Sequence, residues 1–120
     1  MPKERCLAVL AKANRVIRAA DYRRAFRRGR RHNSPNLVTY ILPTSGEATR
    51  YGFVVARSVG NAVTRNRVRR RLKAICYSLN DRVVPRSDVV FRALPAAAGA
   101  GYAALEDDVV TTLRRARVLS

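Results

Sequence analysis

Acidic residues are scarce in this chain. Eight Asp and Glu stand against 25 Lys and Arg in 120 residues, with a single histidine and two cysteines. Each shortage excludes something. A nuclease needs a general base, a carboxylate cluster that holds metal or an activated nucleophile. Here His32 falls in a turn region with no evident orienting partner, and Glu106, Asp107 and Asp108 sit together where they suit the dipole of a helix start. Cys6 and Cys76 lack metal-ligand spacing. No disulfide framework is expected, and a reducing cytoplasm is the expected compartment. No apolar run approaches the ~20 residues that span a membrane. The run Cys6 to Ala11 is shorter than the ~7–15 residues of a secretory h-region, so no signal peptide is expected, and Tyr22 and Phe26 read as structural rather than as parts of a transit peptide. Gly29 and Gly60 stand alone, so no glycine-rich phosphate loop is present.

What the chain has is arginine. The net charge is +17 and the pI about 11.6. Such a balance speaks of partners rather than of fold: nucleic acid first, an acidic membrane surface second, acidic proteins third. Apolar residues make up 48%, which predicts a folded domain, and the length suits one domain with one core. The cations cluster. Six arginines lie between Tyr22 and Arg31, and seven basic residues with no acid lie between Arg57 and Lys73. The preference for arginine over lysine suits bidentate phosphate contacts and stacking on bases.

The pattern predicts an N-terminal arm (1–13), one domain (14–116) and a C-terminal tail (117–120). A short helix starts at Ala20 or Asp21 and stops at Gly29, with Tyr22 and Phe26 on one face. Asn33-Ser34-Pro35-Asn36 is a turn. Strands are expected over Leu37 to Leu42 and Tyr51 to Ala56, paired as an antiparallel hairpin, and a third over Asp88 to Leu94. Between them a helix runs from about Ala62 to Leu79, with Val68, Leu72, Ile75, Cys76 and Leu79 as its apolar stripe. The last helix covers Tyr102 to Arg115, with Tyr102, Leu105, Val109, Leu113 and Ala116 inward. Helices on one face of a small sheet give a two-layer α+β sandwich.

The basic helix is the strongest functional signal. Opposite its apolar stripe fall Asn66, Arg70 and Lys73, with Arg67 and Arg69 beside them and Arg65 and Arg71 nearer the buried edge. Solvated helix faces mix charge signs, and like charges four apart destabilise a helix. An acid-free cationic face therefore points to a phosphate backbone, and Asn66 adds a group able to bond a base edge or a ribose hydroxyl. Tyr22, Phe26 and Tyr40 form a second constellation among the N-terminal arginines. Their spacing favours core packing, the commoner fate of helix-spaced aromatics, over a base-stacking surface, which stays the alternative.

Val59-Gly60-Asn61-Ala62-Val63-Thr64-Arg65-Asn66-Arg67-Val68-Arg69-Arg70 resembles the signature of the bacterial ribonuclease P protein family. Asp21-Tyr22 through Phe26 and Gly29, the Tyr40 strand, Gly52-Phe53-Val54-Val55 and Asp88-Val89-Val90-Phe91 with Pro95 follow in the family's order, so the resemblance covers about residues 14–116. It implies a small mixed sheet with about three helices in the order α-β-β-β-α-β-α, a short edge strand after Gly29 and a left-handed βαβ crossover. It implies a subunit that assists endonucleolytic removal of the 5′ leader from precursor tRNA. The chemistry and its magnesium would belong to a catalytic RNA, with no cofactor on the chain, no membrane and no obligate protein partner. By position, Arg57, Asn61, Arg65, Asn66, Arg67, Arg69, Arg70 and Lys73 would contact that RNA. Tyr22, Phe26, Tyr40 and Arg92 would line the leader cleft. The family commonly has Ser-Lys-Lys before the Gly-Asn pair; here it is Ala56-Arg57-Ser58, one cation fewer. The rival readings are a ribosomal or other structural nucleic-acid-binding protein and an autonomous basic nuclease.

Overall fold

The computed structural model describes residues 14–119 except 17, 45, 47, 84 and 85; the expected arm, with Cys6, lies outside the described residues. The element order is α1 (Ala19–Arg28), β1 (Arg30–Asn33), β2 (Leu37–Pro43), β3 (Arg50–Val54), α2 (Ala62–Leu79), β4 (Ser87–Ala93) and α3 (Tyr102–Arg115). The strands form one mixed sheet in the order β1-β2-β4-β3. The short strand expected after Gly29 is β1, and it carries His32, which the residues alone had placed in a turn region. The Asn33-Ser34-Pro35-Asn36 cluster makes the tight link from β1 to β2.

The expected hairpin between the Tyr40 and Gly52 strands does not form. β4 inserts between them, antiparallel to β2 and parallel to β3. Burial explains the order. β2 and β4 hide nearly every residue on both faces and take the two central places, whereas β1 and β3 keep accessible residues and lie at the edges. Joining parallel β3 and β4 requires a crossover, which α2 supplies.

Strand alternation separates two hydrophobic clusters. Leu37 and Ile41 of β2, Tyr51 of β3 and Val89, Phe91 and Ala93 of β4 face α2 and α3 and build the main core with Val68, Leu72, Ile75, Leu105, Val109 and Leu113. Phe53 stacks on Phe91 at its margin, with ring centroids 5.9 Å apart. Val38, Tyr40 and Val90 point the other way, against Val16 and Ala25. Thus α2 and α3 share one face, while α1 lies across the reverse and not with them, so the helices do not all keep to one face as expected.

Two expectations about α3 change. Tyr102 is 41% exposed rather than inward. Asp108 is buried and does not serve the helix dipole: its Oδ2 accepts from the Asn36 backbone N–H (2.9 Å) and from Ser34 Oγ (3.3 Å), clamping the β1–β2 link to α3. Residues 117–119, expected as a tail, belong to the fold. Val118 packs in the main core and Leu119 bridges Val83.

Candidate nucleic-acid interface

The joint before α2 depends on Gly60. Its φ is +156°, and a Cβ there would meet Thr64 Cβ and Cγ2 at 3.0 Å, a conformation essentially restricted to glycine. Asn61 then caps the helix, its side chain accepting from the Thr64 N–H at 2.9 Å. The five expected stripe residues of α2 are all buried. Burial also pushes the Cys76 thiol up, so the sulfur stays protonated and packs as an apolar group.

The basic face divides into three parts. Asn66 and Arg70 are exposed, and Arg69 Nη1 donates to Asn66 Oδ1 at 2.7 Å, presenting amide and guanidinium together. Arg67 and Arg71 turn aside: their guanidinium groups donate to the carbonyls of Ala98 (3.2 Å) and Ala100 (2.9 Å), tying α2 to the turn before α3. Arg65 is half-buried, and its Nε has no hydrogen-bond partner among the described residues. Arg57 is exposed in the 3-10 turn Arg57–Val59 that leads to the helix. No acid occupies the first turn of α2, so the helix dipole adds to the positive potential there.

On the reverse face the aromatic residues separate. Phe26 and Tyr40 meet edge to face, centroids 4.9 Å apart. The Arg92 guanidinium lies 5.8 Å from the Phe26 ring and 5.7 Å from that of Tyr40, and donates to Tyr40 Oη at 2.6 Å. Tyr40 is 6% exposed and Phe26 37%. Tyr40 is therefore a wall and Phe26 the accessible ring. With one N–H of Arg92 on Tyr40, further donors of the fork remain for a phosphate. Tyr22 sits one helical turn away, its ring seated on Gly52, where a Cβ would approach to 2.6 Å.

Tyr22 joins the two regions. A cavity of about 250 Å³ at the β3 edge is lined by Tyr22 and Phe53, by Arg15 and Val16, and by Arg69 and Lys73 of α2. A strand laid along α1 from Phe26 to Tyr22 would pass from the aromatic cleft to the cations of α2. Arg15 and Phe53 were not expected in the site. Arg15 lies there because its segment pairs with the β3 edge, which no local sequence signal announces.

An ion network holds α1 in place. Arg50 donates to both Asp88 oxygens, at 2.9 and 2.7 Å, and reaches Asp21 of α1 at 3.3 Å, while Arg24 also bonds Asp21. Burial alone would raise the Asp21 carboxyl, but Arg50 and Arg24 outweigh it and hold the group below its ordinary value.

A family model described as Ribonuclease P matches residues 10–117. This chain belongs to that family. It is 42% identical over 109 residues to the ribonuclease P protein component of Clavibacter michiganensis subsp. michiganensis, covering 90% of this chain and 96% of the relative. It is 46% identical over 102 residues to that of Beutenbergia cavernae, covering 84% and 86%. The fold matches that of the Staphylococcus aureus RNase P protein with a TM-score of 0.83 at 23% identity, over 91% of this chain and all of the other. The Thermotoga maritima protein gives a TM-score of 0.76 at 19% identity, over 84% and 96%.

Proposed function

We propose that this chain, as the protein subunit of ribonuclease P, grips the ribonuclease P RNA with the outer face of α2 and receives the 5′ leader of precursor tRNA in the cleft beneath α1. The observation that carries this reading is the junction at the β3 edge, where Tyr22 of the cleft and Arg69 and Lys73 of the basic helix line one cavity. Arg57, Asn66, Arg69, Arg70 and Lys73 would bind phosphates and ribose, with Arg65 completing its contacts on the RNA. Asn61, Arg67 and Arg71 set the helix. Phe26 offers a ring for a leader base, Tyr40 meets that ring edge to face, and Arg92, lying over the ring, adds a donor for the neighbouring phosphate.

In this reading bond cleavage and the magnesium it needs belong to the RNA. The chain's own contribution is binding: it neutralises phosphates where RNA and substrate meet and orients the leader. We place this work in the cytoplasm, the compartment that the low cysteine content favours.

Reconstitution tests the reading. The chain, mixed with bacterial ribonuclease P RNA and precursor tRNA at low magnesium, should stimulate leader removal; no stimulation would favour a purely structural nucleic-acid-binding protein. Phe26→Ala should weaken precursor binding by about 1–3 kcal/mol, the worth of one base stack, and leave mature tRNA binding nearly unchanged. Equal losses for both RNAs would assign the ring to packing alone.

A further inference from the structure

The opposite edge of the sheet carries a second concave site. A cavity of about 290 Å³ is lined by Arg28, Arg30 and His32 and walled by Ile41, Pro43, Ala116 and Val118, close to the lower end of ligand-pocket volumes, about 300 Å³. Register decides which way it faces. Arg30 pairs with Ile41 and His32 with Thr39, whereas Arg31 pairs with Tyr40. Ile41 belongs to the core under α2 and α3, and Tyr40 to the cleft side. Arg30 and His32 therefore sit on the helical face, on the reverse of the leader cleft.

The far wall is the turn that ends α3. Val118 N–H donates to the Leu113 carbonyl (3.0 Å) and Arg117 N–H to that of Arg114 (2.9 Å), with Arg117 at φ 62°. This is a Schellman closure with arginine at the position that usually takes glycine. It sets Ala116 and Val118 against the cavity.

The polar side of the cavity is without partners. Among the described residues Arg28 and Arg30 make no side-chain hydrogen bond or ion pair, and His32 Nε2 is buried with none. Burial first, and then the charges of Arg30 and Arg115, hold the His32 imidazole below its ordinary value. Arg28, Arg30 and Arg115 are exposed, and the guanidinium groups of Arg28 and Arg30 are left free to meet an anion beside the apolar wall.

We propose that this cavity is a second RNA contact. It binds one nucleotide of the ribonuclease P RNA, with the phosphate held by Arg28 and Arg30 beside the His32 ring and the sugar or base lying on Ile41, Pro43 and Val118. The unpaired guanidinium groups suit an anion, and the apolar wall suits a nucleoside better than a hydrated ion. The ribonuclease P RNA is the source because the cavity opens on the face that carries α2, while the leader cleft lies on the reverse. The proposal rests on reading the chain as an RNA-binding subunit but uses none of the residues that carry that reading.

A photoreactive side chain at position 30, 70 or 26 in the reconstituted holoenzyme tests it. Position 30 should crosslink to the ribonuclease P RNA, at nucleotides separate from those reached from position 70. Crosslinks from 70 and 26 with none from 30 would overturn this contact alone. Silence at all three would overturn the RNA-binding reading itself. Capture of precursor or mature tRNA from position 30 would overturn the choice of RNA. The Arg28→Glu/Arg30→Glu variant should bind the ribonuclease P RNA about tenfold more weakly, with a salt slope shallower by about one. An unchanged slope in a folded variant would count against a phosphate at this site.

Discussion

Ser58 lies exposed beside Arg57 on the turn that feeds α2. The resemblance implies a cation there, and the turn is held by the Gly60 geometry and the Asn61 cap. A lysine at 58 would project from the same rigid joint. We expect Ser58→Lys to add one phosphate contact, steepening the fall of log affinity with log salt by about 0.7–0.9. An unaltered slope would mean that this turn does not face RNA. Arg67 and Arg69 show how neighbouring arginines can differ in role. Arg67 ties α2 to the Ala98 carbonyl, whereas Arg69 stands with Asn66 toward solvent. Truncating Arg67 should therefore disturb packing before binding.

At the scale of elements, α1 carries Tyr22 and Phe26 but is a short helix whose N-cap residue, Arg18, makes no side-chain cap. Its position comes from Asp21, bound through Arg50 to Asp88 of the central strand. Arg50→Met would leave the nearly inaccessible Asp88 carboxylate without its bidentate partner. Breaking such a pair costs about 3 kcal/mol, here reduced by the partial exposure of Arg50. The expected outcome is a lower unfolding midpoint and a loss of precursor over mature tRNA discrimination, with Arg50→Lys intermediate. Discrimination that survives in folded Arg50→Met would show that α1 is held by its apolar face alone. The network also has a pH signature. Because the folded-state pKa of Asp21 lies below its unfolded value, the unfolded chain takes up more protons on acidification. The stabilisation is complete above about pH 4 and disappears as pH falls through the folded-state value. Arg50→Met should flatten this acid limb of a denaturation profile.

At the scale of the whole molecule, the sheet divides the surface. Its helical face presents α2, the reverse presents the aromatic cleft, and the β3 edge joins them. With four phosphate contacts from Arg57, Arg69, Arg70 and Lys73, affinity for the ribonuclease P RNA should fall about 50- to 150-fold between 50 and 200 mM salt. A salt-insensitive affinity would exclude this mode of binding. The net charge of +17 adds a sequence-independent attraction that speeds encounter, while in the proposed reading the cleft would supply discrimination.

The sequence by itself determined whatever depends on local periodicity. The five buried residues of α2, its ends, the joint at Gly60 and the cationic outer face could all be read there, because a helix repeats every 3.6 residues and sorts its own faces. The order of the strands could not. The preference for neighbouring strands in sequence to pair favoured a hairpin, and only the competition for the two positions buried on both faces put β4 between β2 and β3. The rest follows from that choice. It placed α1 across the sheet from α2, made Tyr40 a wall and Phe26 the open ring, and turned Arg31 toward the cleft but Arg30 and His32 away from it. It also brought Asp108 to the Asn36 N–H, 72 residues away along the chain. Strand pairing and helix docking are contacts between distant segments, and no window of sequence contains both partners.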